Sequence, residues 1–245
     1  MNRYWKDIVE PLLDYCSVNS IVEIGVAGGL NTKNLINYCS QKGCNYIGID
    51  PAPLIDISEL QHQHSFMTFY KDISLNALSQ IDEFDVILID GDHNWYTVFN
   101  ELKIIETKTL KKNQFPLIFL HDISWPYGRR DMYYNPELIP QEFRKPYAKL
   151  GIKEGKSKLI KSNNSRDVKN SHLNNALFEG GKQNGVMTAI EDFLKSTKMP
   201  VGFESTELFH GLGVLFPTNN EYKLQKVIKQ KLRFAEKEYF KNKKR

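Results

Sequence analysis

The sequence predicts an α/β protein built on an open, mostly parallel sheet, and three observations carry that expectation. Residues 20–30, SIVEIGVAGGL, read as a short buried strand from Ile21 to Ile24 that stops at clustered glycines and restarts as helix-forming sequence from Asn31. Further apolar runs at 45–50, 66–70, 84–89 and 116–120 alternate with helical stretches, and the first three end in Asp50, Asp72 and Asp90. Near the end, Gly202 to Leu208 and Leu212 to Phe216, joined around His210-Gly211, read as a closing antiparallel hairpin.

Each element follows from local pattern. Asn2 to Ser17 places Trp5, Ile8, Val9, Leu12 and Leu13 on one helical stripe despite Pro11. It is expected to cover a sheet edge or the mouth of the cleft. Thr32 to Ser40 is the first crossover helix. Asn45 to Asp50 is the second strand, and Pro51 and Pro53 stop any immediate helix. Ile57 to His62 and Ser74 to Ser79 are short helices on either side of the strand Phe66 to Tyr70. After the strand Phe84 to Ile89, the long helix Asn94 to Lys112 turns Val98, Leu102 and Ile105 toward the sheet. Pro116 to Leu120 is the fifth strand. The pattern changes from His121 to about Gly185, where an aromatic, proline- and arginine-rich stretch leads into a polar one without periodicity. We read 123–185 as an insertion over the cleft, mobile between Lys156 and Asn175, within a single domain spanning 1–245. Val186 to Ser196 is a helix, and 219–245 is a Lys-rich helix with Leu224, Ile228 and Leu232 on one face.

The chain has 245 residues, long enough to bury a sizeable core. Its apolar and charged contents, 41% and 25%, are ordinary for a globular protein. No apolar run approaches the ~20 residues of a membrane span, and no signal peptide is visible. Cys16, Cys39 and Cys44 form no metal spacing and read as free thiols of a reducing cytoplasm. Residues 223–245 hold ten Lys/Arg and two Glu, a local net charge of +8 against +4 for the chain, so residues 1–222 carry −4.

In open α/β sheets, ligands bind beyond the carboxyl ends of the strands, near the switch point. That places a ligand over Gly25, Gly28 and Gly29, at the start of the helix containing Asn31. The spacing E-x-G-x-x-G-G lacks the second glycine of the dinucleotide fingerprint. Glu23, Asp50, Asp72 and Asp90 crowd the same cleft and would repel a pyrophosphate. They suit a ligand with a ribose diol, an ammonium and a sulfonium, which is S-adenosylmethionine (SAM). Here the chain resembles the class I SAM-dependent methyltransferases over most of residues 20–122. The resemblance implies a Rossmann-like, seven-stranded, mostly parallel sheet whose last strand is antiparallel. In that reading Asp50 meets the ribose hydroxyls, the adenine lies near Asp72 and Ile73, and the methionyl amino group lies near Glu23 or the Gly25 carbonyl.

A second constellation joins Asp90-Gly91-Asp92-His93 to His121-Asp122, just past the ends of consecutive predicted strands. Neighbouring strands are about 4.8 Å apart, so these positions can converge. Carboxylates with an imidazole look like a divalent cation site; oxygen ligands point to Mg²⁺, Mn²⁺ or Ca²⁺, and histidine favours Mn²⁺ or Fe²⁺. The competing reading makes Asp90 a helix cap, Asp92 and His93 loop polars, and His121-Asp122 an anchor for the insertion. DGDH followed by HD is similar to the macrocin O-methyltransferase-like group. That resemblance implies Asp90 and Asp122 as metal ligands, His121 as a third, and Asp92 or His93 as the base. The group usually has an Asp-Asp pair where this chain has His121-Asp122.

The sequence therefore reads as a metal-assisted SAM-dependent O-methyltransferase using Mg²⁺ or Mn²⁺. Arg129 and Arg130 are expected to grip a phosphate or carboxylate of a small acceptor, with Trp125 stacking on it. The resemblance implies a phosphorylated, nucleotide-linked or glycosidic intermediate of surface-polysaccharide (capsule) assembly; a phosphoramidate group is one variant. A homo-oligomer is compatible with this reading, and no nucleic-acid partner is expected. Two other classes compete with this reading: an NAD-dependent oxidoreductase, disfavoured by the missing glycine and the crowded carboxylates, and a nucleic-acid-binding module working through the basic tail.

Overall fold

Strand β1 (Ser20–Ile24) is the pivot of the structure, a computed structural model that describes residues 1–110, 114–162, 167–218 and 222–243. The chain divides into two units. Unit one comprises Met1–Gly91, Ile104–His121 and Lys198–Arg245; unit two comprises Asp92–Lys103 and Asp122–Thr197.

In unit one the chain enters through a 3-10 turn (Asn2–Tyr4), a π turn (Trp5–Val9) and helix α1 (Glu10–Cys16). The predicted stripe is real: Ile8, Val9, Leu12 and Leu13 are fully buried, each contributing about 1.5–3 kcal/mol of transfer free energy. After β1 come α2 (Leu30–Lys42), β2 (Asn45–Ile49), α3 (Ile57–Gln63), β3 (Met67–Tyr70), α4 (Ser74–Gln80) and β4 (Val86–Ile89). Helix α5 (Trp95–Leu110) begins in unit two and ends in unit one, and β5 (Leu117–His121) follows. The expected end of α5 at Lys112 lies outside the described residues.

Unit two adds the short strands β6 (Met132–Tyr133), β7 (Tyr147–Ala148) and β8 (Asn174–Ala176), then α6 (Val186–Ser196). The chain returns to unit one through β9 (Val201–Thr206), β10 (Leu212–Pro217) and α7 (Tyr222–Lys243). Residues 219–221 and 244–245 of the expected terminal helix lie outside the described residues.

The large sheet has the order β3-β2-β1-β4-β5-β10-β9. Strands β1 to β5 pair in parallel, and β10 pairs antiparallel with both β5 and β9. This is the open, mostly parallel seven-stranded α/β sheet that the sequence predicts, with β10 as its antiparallel last strand. The strand order reverses between β1 and β4, so the carboxyl ends of these neighbours flank the switch point. Ile21, Val22, Val86, Ile87 and Leu88 are buried without residue, the near-continuous apolar runs that a parallel sheet needs.

Unit two is more ordered than the sequence pattern predicts. Its second sheet runs β6-β8-β7, both pairs antiparallel. Single bridges join Gly151 to Ile160, Ile152 to Lys169 and Lys158 to Phe178. Tyr127, Met132 and Ile152 form a small apolar core. The polar stretch expected to be unpatterned and mobile is thus tied by backbone pairs at several described points; residues 163–166 lie outside the described residues. One-residue bridges leave no alternating pattern to read.

Asp131, fully buried, organises this unit. It accepts hydrogen bonds from the backbone N–H of Trp95 (2.7 Å) at the start of α5 and of Gly185 (2.6 Å) at the start of α6, and from the Tyr133 hydroxyl (2.8 Å). One carboxylate so satisfies donors at two helix starts, where backbone N–H groups lack internal partners.

Candidate functional site

Two constellations emerge, one in each unit. In unit one the glycine turn lies at the switch point. Gly25 has φ +90°, and a Cβ there would fall 2.3 Å from the Asp90 carbonyl oxygen. Only glycine permits both the conformation and this approach of β1 to the end of β4. Gly29, at φ +72°, caps α2 without a side chain, and a Cβ would press on Ile55. The first turn of α2 therefore has no side-chain cap, the condition in which a helix start receives an anionic group.

Glu23 fixes that turn from beneath. Its buried carboxylate accepts from Asn31 Nδ2 (2.7 Å), Thr32 Oγ1 (2.7 Å) and the Tyr46 hydroxyl (2.6 Å). Burial raises its pKa, outweighing those three bonds. Glu23 thus couples β1, β2 and the start of α2. With Asn31 Nδ2 donating to Glu23, the same residue's Oδ1 is buried without a hydrogen-bond partner. A buried amide oxygen in this state costs about 1–3 kcal/mol unless a donor reaches it.

Asp50 shapes the turn. Its Oδ2 accepts from the backbone N–H of Val26 (2.9 Å) and Ala27 (2.8 Å), and its Oδ1 from Ala52 (2.8 Å). The residue expected to hold a ribose thus braces the loop on which that ribose would lie. Asp72 Oδ1 accepts from the Ile73 N–H (2.7 Å) and Asn76 Nδ2 (3.1 Å), just before and within the first turn of α4. Gly28 has open space where a Cβ would stand.

Asp90 and His121 meet at the ends of β4 and β5. His121 Nδ1 lies 3.0 Å from Asp90 Oδ1, and Nε2 lies 3.1 Å from the Phe209 carbonyl. Both ring nitrogens face acceptors, so a neutral imidazole, with one N–H, can satisfy only one of them. An imidazolium resolves the conflict. So does a cation on Nδ1, with Nε2–H held by the carbonyl as histidine ligands usually are. The residues fit a divalent ion. The Met1 amino group lies 2.6 Å from Asp90 Oδ2.

In unit two, His93 Nε2 stands 2.5 Å from Asp122 Oδ2, both residues being buried. The His93 ring meets Tyr127 edge-on at 5.5 Å and Tyr134 at 6.4 Å, and Tyr134 is about half exposed at 53%. Asp122 has φ +57°, a left-handed conformation that aspartate tolerates better than most residues. Asp92 is engaged elsewhere: its Oδ2 accepts from Thr97 Oγ1 (3.1 Å) and its pKa is raised by burial. Asn94 Oδ1 accepts from the Thr97 N–H (2.8 Å), capping α5.

The two arginines have partners of their own. Arg129 forms a bidentate pair with Glu191, both bonds 2.6 Å, on a half-exposed surface. Arg130 is fully buried; its guanidinium donates to the carbonyls of Ala176 (2.5 Å) and Ser157 (2.6 Å), with Glu179 at 3.7 Å. Both arginines are thus engaged within the chain, and Arg130 reaches no solvent. Trp125 lies beneath the Lys169 ammonium at 4.8 Å. Sequence reasoning missed Asp131, because after two arginines it reads as one more loop charge.

No protein-family model matches this sequence, and no curated protein does. Solved structures give distant likenesses. SAH-bound Podospora anserina methyltransferase is 12% identical over 85% of this chain and 76% of its own, with a TM-score of 0.48. Burkholderia thailandensis 1,6-didemethyltoxoflavin-N1-methyltransferase is 11% identical over 89% and 80%, at 0.49. An O-methyltransferase from Bacillus cereus in complex with SAH is 14% identical over 85% and 78%, at 0.43.

Proposed function

We propose that this protein is a SAM-dependent O-methyltransferase acting on a small polar acceptor. One observation carries the reading: the buried, unpartnered Oδ1 of Asn31, beside an uncapped helix start at the switch point. An amino acid moiety supplies what both features lack, an ammonium for the amide oxygen and a carboxylate for the α2 N–H groups. SAM carries such a moiety and, when bound, supplies an electrophilic methyl group.

The chain's own residues do the rest. Gly25 and Gly29 keep the turn clear, Asp50 holds its backbone, and Glu23 orients Asn31 and Thr32. His93, oriented by the Asp122 carboxylate, is the better base of the two expected, since imidazole chemistry suits proton removal near neutral pH and Asp92 is committed to α5. A divalent ion would take Asp90 and His121; Asp122, the next residue in the chain, is the third ligand expected from the sequence. Such an ion would lower the pKa of an acceptor hydroxyl. The acceptor class, a phosphorylated or glycosidic intermediate of surface-polysaccharide assembly, rests on the sequence resemblance alone.

The test is methyl transfer from labelled SAM to a panel of nucleotide sugars and sugar phosphates, with and without Mn²⁺. Label transferred by the wild type but at least about 100-fold more slowly by His93→Ala, with SAH affinity kept, supports the assignment of the base. Equal rates for the two proteins would overturn it.

A further inference from the structure

We propose that the solvent face of α7 docks on an anionic phospholipid surface. The helix has two faces of opposite character. Leu224, Ile228, Leu232 and Ala235 are buried in the core of unit one. At 100° per residue, the opposite side presents Lys223, Lys226, Arg233, Lys237 and Lys241, all exposed, along about 27 Å of helix. Among the described residues, Lys223, Lys226, Arg233 and Lys237 have no acidic partner, whereas Lys229 pairs with Glu204 at 3.2 Å and Lys241 with Glu238 at 3.6 Å.

Charge alone would fit any polyanion; the aromatic residues narrow the choice. Phe234 and Phe240, 51% and 54% exposed, flank the cationic stripe. Phe240 walls a surface hollow of about 570 Å³ together with Arg233, Glu236, Lys237 and Lys241. Three cations and one acid around a phenyl ring match an anionic amphiphile, with phosphate for the cations and glycerol-acyl carbon for the ring. Phenylalanine gains by leaving water for the interfacial region of a bilayer, and each lysine near an anionic leaflet adds attraction. The cations and the two phenyl rings share one face of a single lysine-rich helix, and a flat, diffuse anionic surface matches that arrangement. Charge segregation favours one orientation, since residues 1–222 carry net negative charge. No helix among the described residues is long and apolar enough to cross a membrane.

Co-sedimentation of the full chain, freed of nucleic acid, with phosphatidylserine–phosphatidylcholine vesicles tests this, with phosphatidylcholine vesicles and single-stranded RNA as parallel arms. The expected result is binding to the anionic vesicles, loss on raising salt, and at least about tenfold weakening in the triple variant Lys226→Glu, Arg233→Glu, Lys237→Glu. The double variant Phe234→Ser, Phe240→Ser keeps the charge and should also bind more weakly. Circular dichroism confirms that both variants stay folded. Absence of binding, equal binding to phosphatidylcholine, or retention of RNA but not vesicles would overturn the proposal.

Discussion

His121 holds Asp90 with one ring nitrogen and the Phe209 carbonyl with the other, at 3.0 and 3.1 Å, a geometry that a neutral imidazole cannot satisfy on both sides. A divalent ion on this pair should stabilise the fold: at a concentration of about 100 Kd, one site adds about 2.7 kcal/mol. Mn²⁺ is expected to raise the melting temperature of the wild type and to leave Asp90→Asn and His121→Ala unmoved. An equal rise in all three would place the ion elsewhere, and no rise in any would remove it.

Asp131 should make the stability of unit two depend on pH. Burial lifts its pKa to about 6, above the roughly 3.9 of an unfolded chain. The folded state therefore holds this proton more tightly than the unfolded state does. The stability contributed is fully present below the unfolded value and is lost as pH rises through about 6. Denaturant melts of wild type and Asp131→Asn between pH 4 and 8 should differ in slope, the wild type losing stability relative to the variant toward pH 7. Parallel curves would mean that Asp131 stays ionised throughout.

Adjacent arginines should behave differently. Arg130→Ala removes a fully buried guanidinium and leaves the Ala176 and Ser157 carbonyls without that donor, a loss of about 1.5–3 kcal/mol for each bond to a charged group. Arg129→Ala breaks a half-exposed pair, worth about 0–1 kcal/mol. Urea midpoints for the two variants decide this; similar losses would show that Arg130 is less committed than its contacts imply.

The glycine turn should fail with its brace. Asp50→Ala leaves the N–H groups of Val26 and Ala27 without their acceptor, so SAH affinity and thermal stability should fall together, affinity by about 1.5–3 kcal/mol. Loss of affinity at unchanged stability would instead indicate direct contact between Asp50 and the ribose.

The order of strands and helices was legible because apolar periodicity and glycine punctuation are local signals. Each large-sheet strand lies within a few residues of its expected span, and α6 is unchanged. The hydrogen-bond assignments were less legible. Glu23, Asp50 and Asp72 all read as ligands because they end or border strands, yet each carboxylate bonds to groups of its own chain. A sequence shows that an acid stands at a strand end; whether backbone or ligand reaches it depends on the path of the following loop. Unit two was least legible, since Asp131, Arg130 and Asn175 are buried polar residues whose partners lie far along the chain. Local pattern marks such residues as solvent-exposed loop.

Calorimetric titration of SAH into the wild type and Asn31→Ala tests the central claim most directly, with NADH as the competing ligand. Saturable one-site binding of SAH, weakened about tenfold or more in the variant that removes the buried amide oxygen, and no heat with NADH, is the predicted result. Silence toward SAH, or saturable binding of NADH in its place, would contradict it.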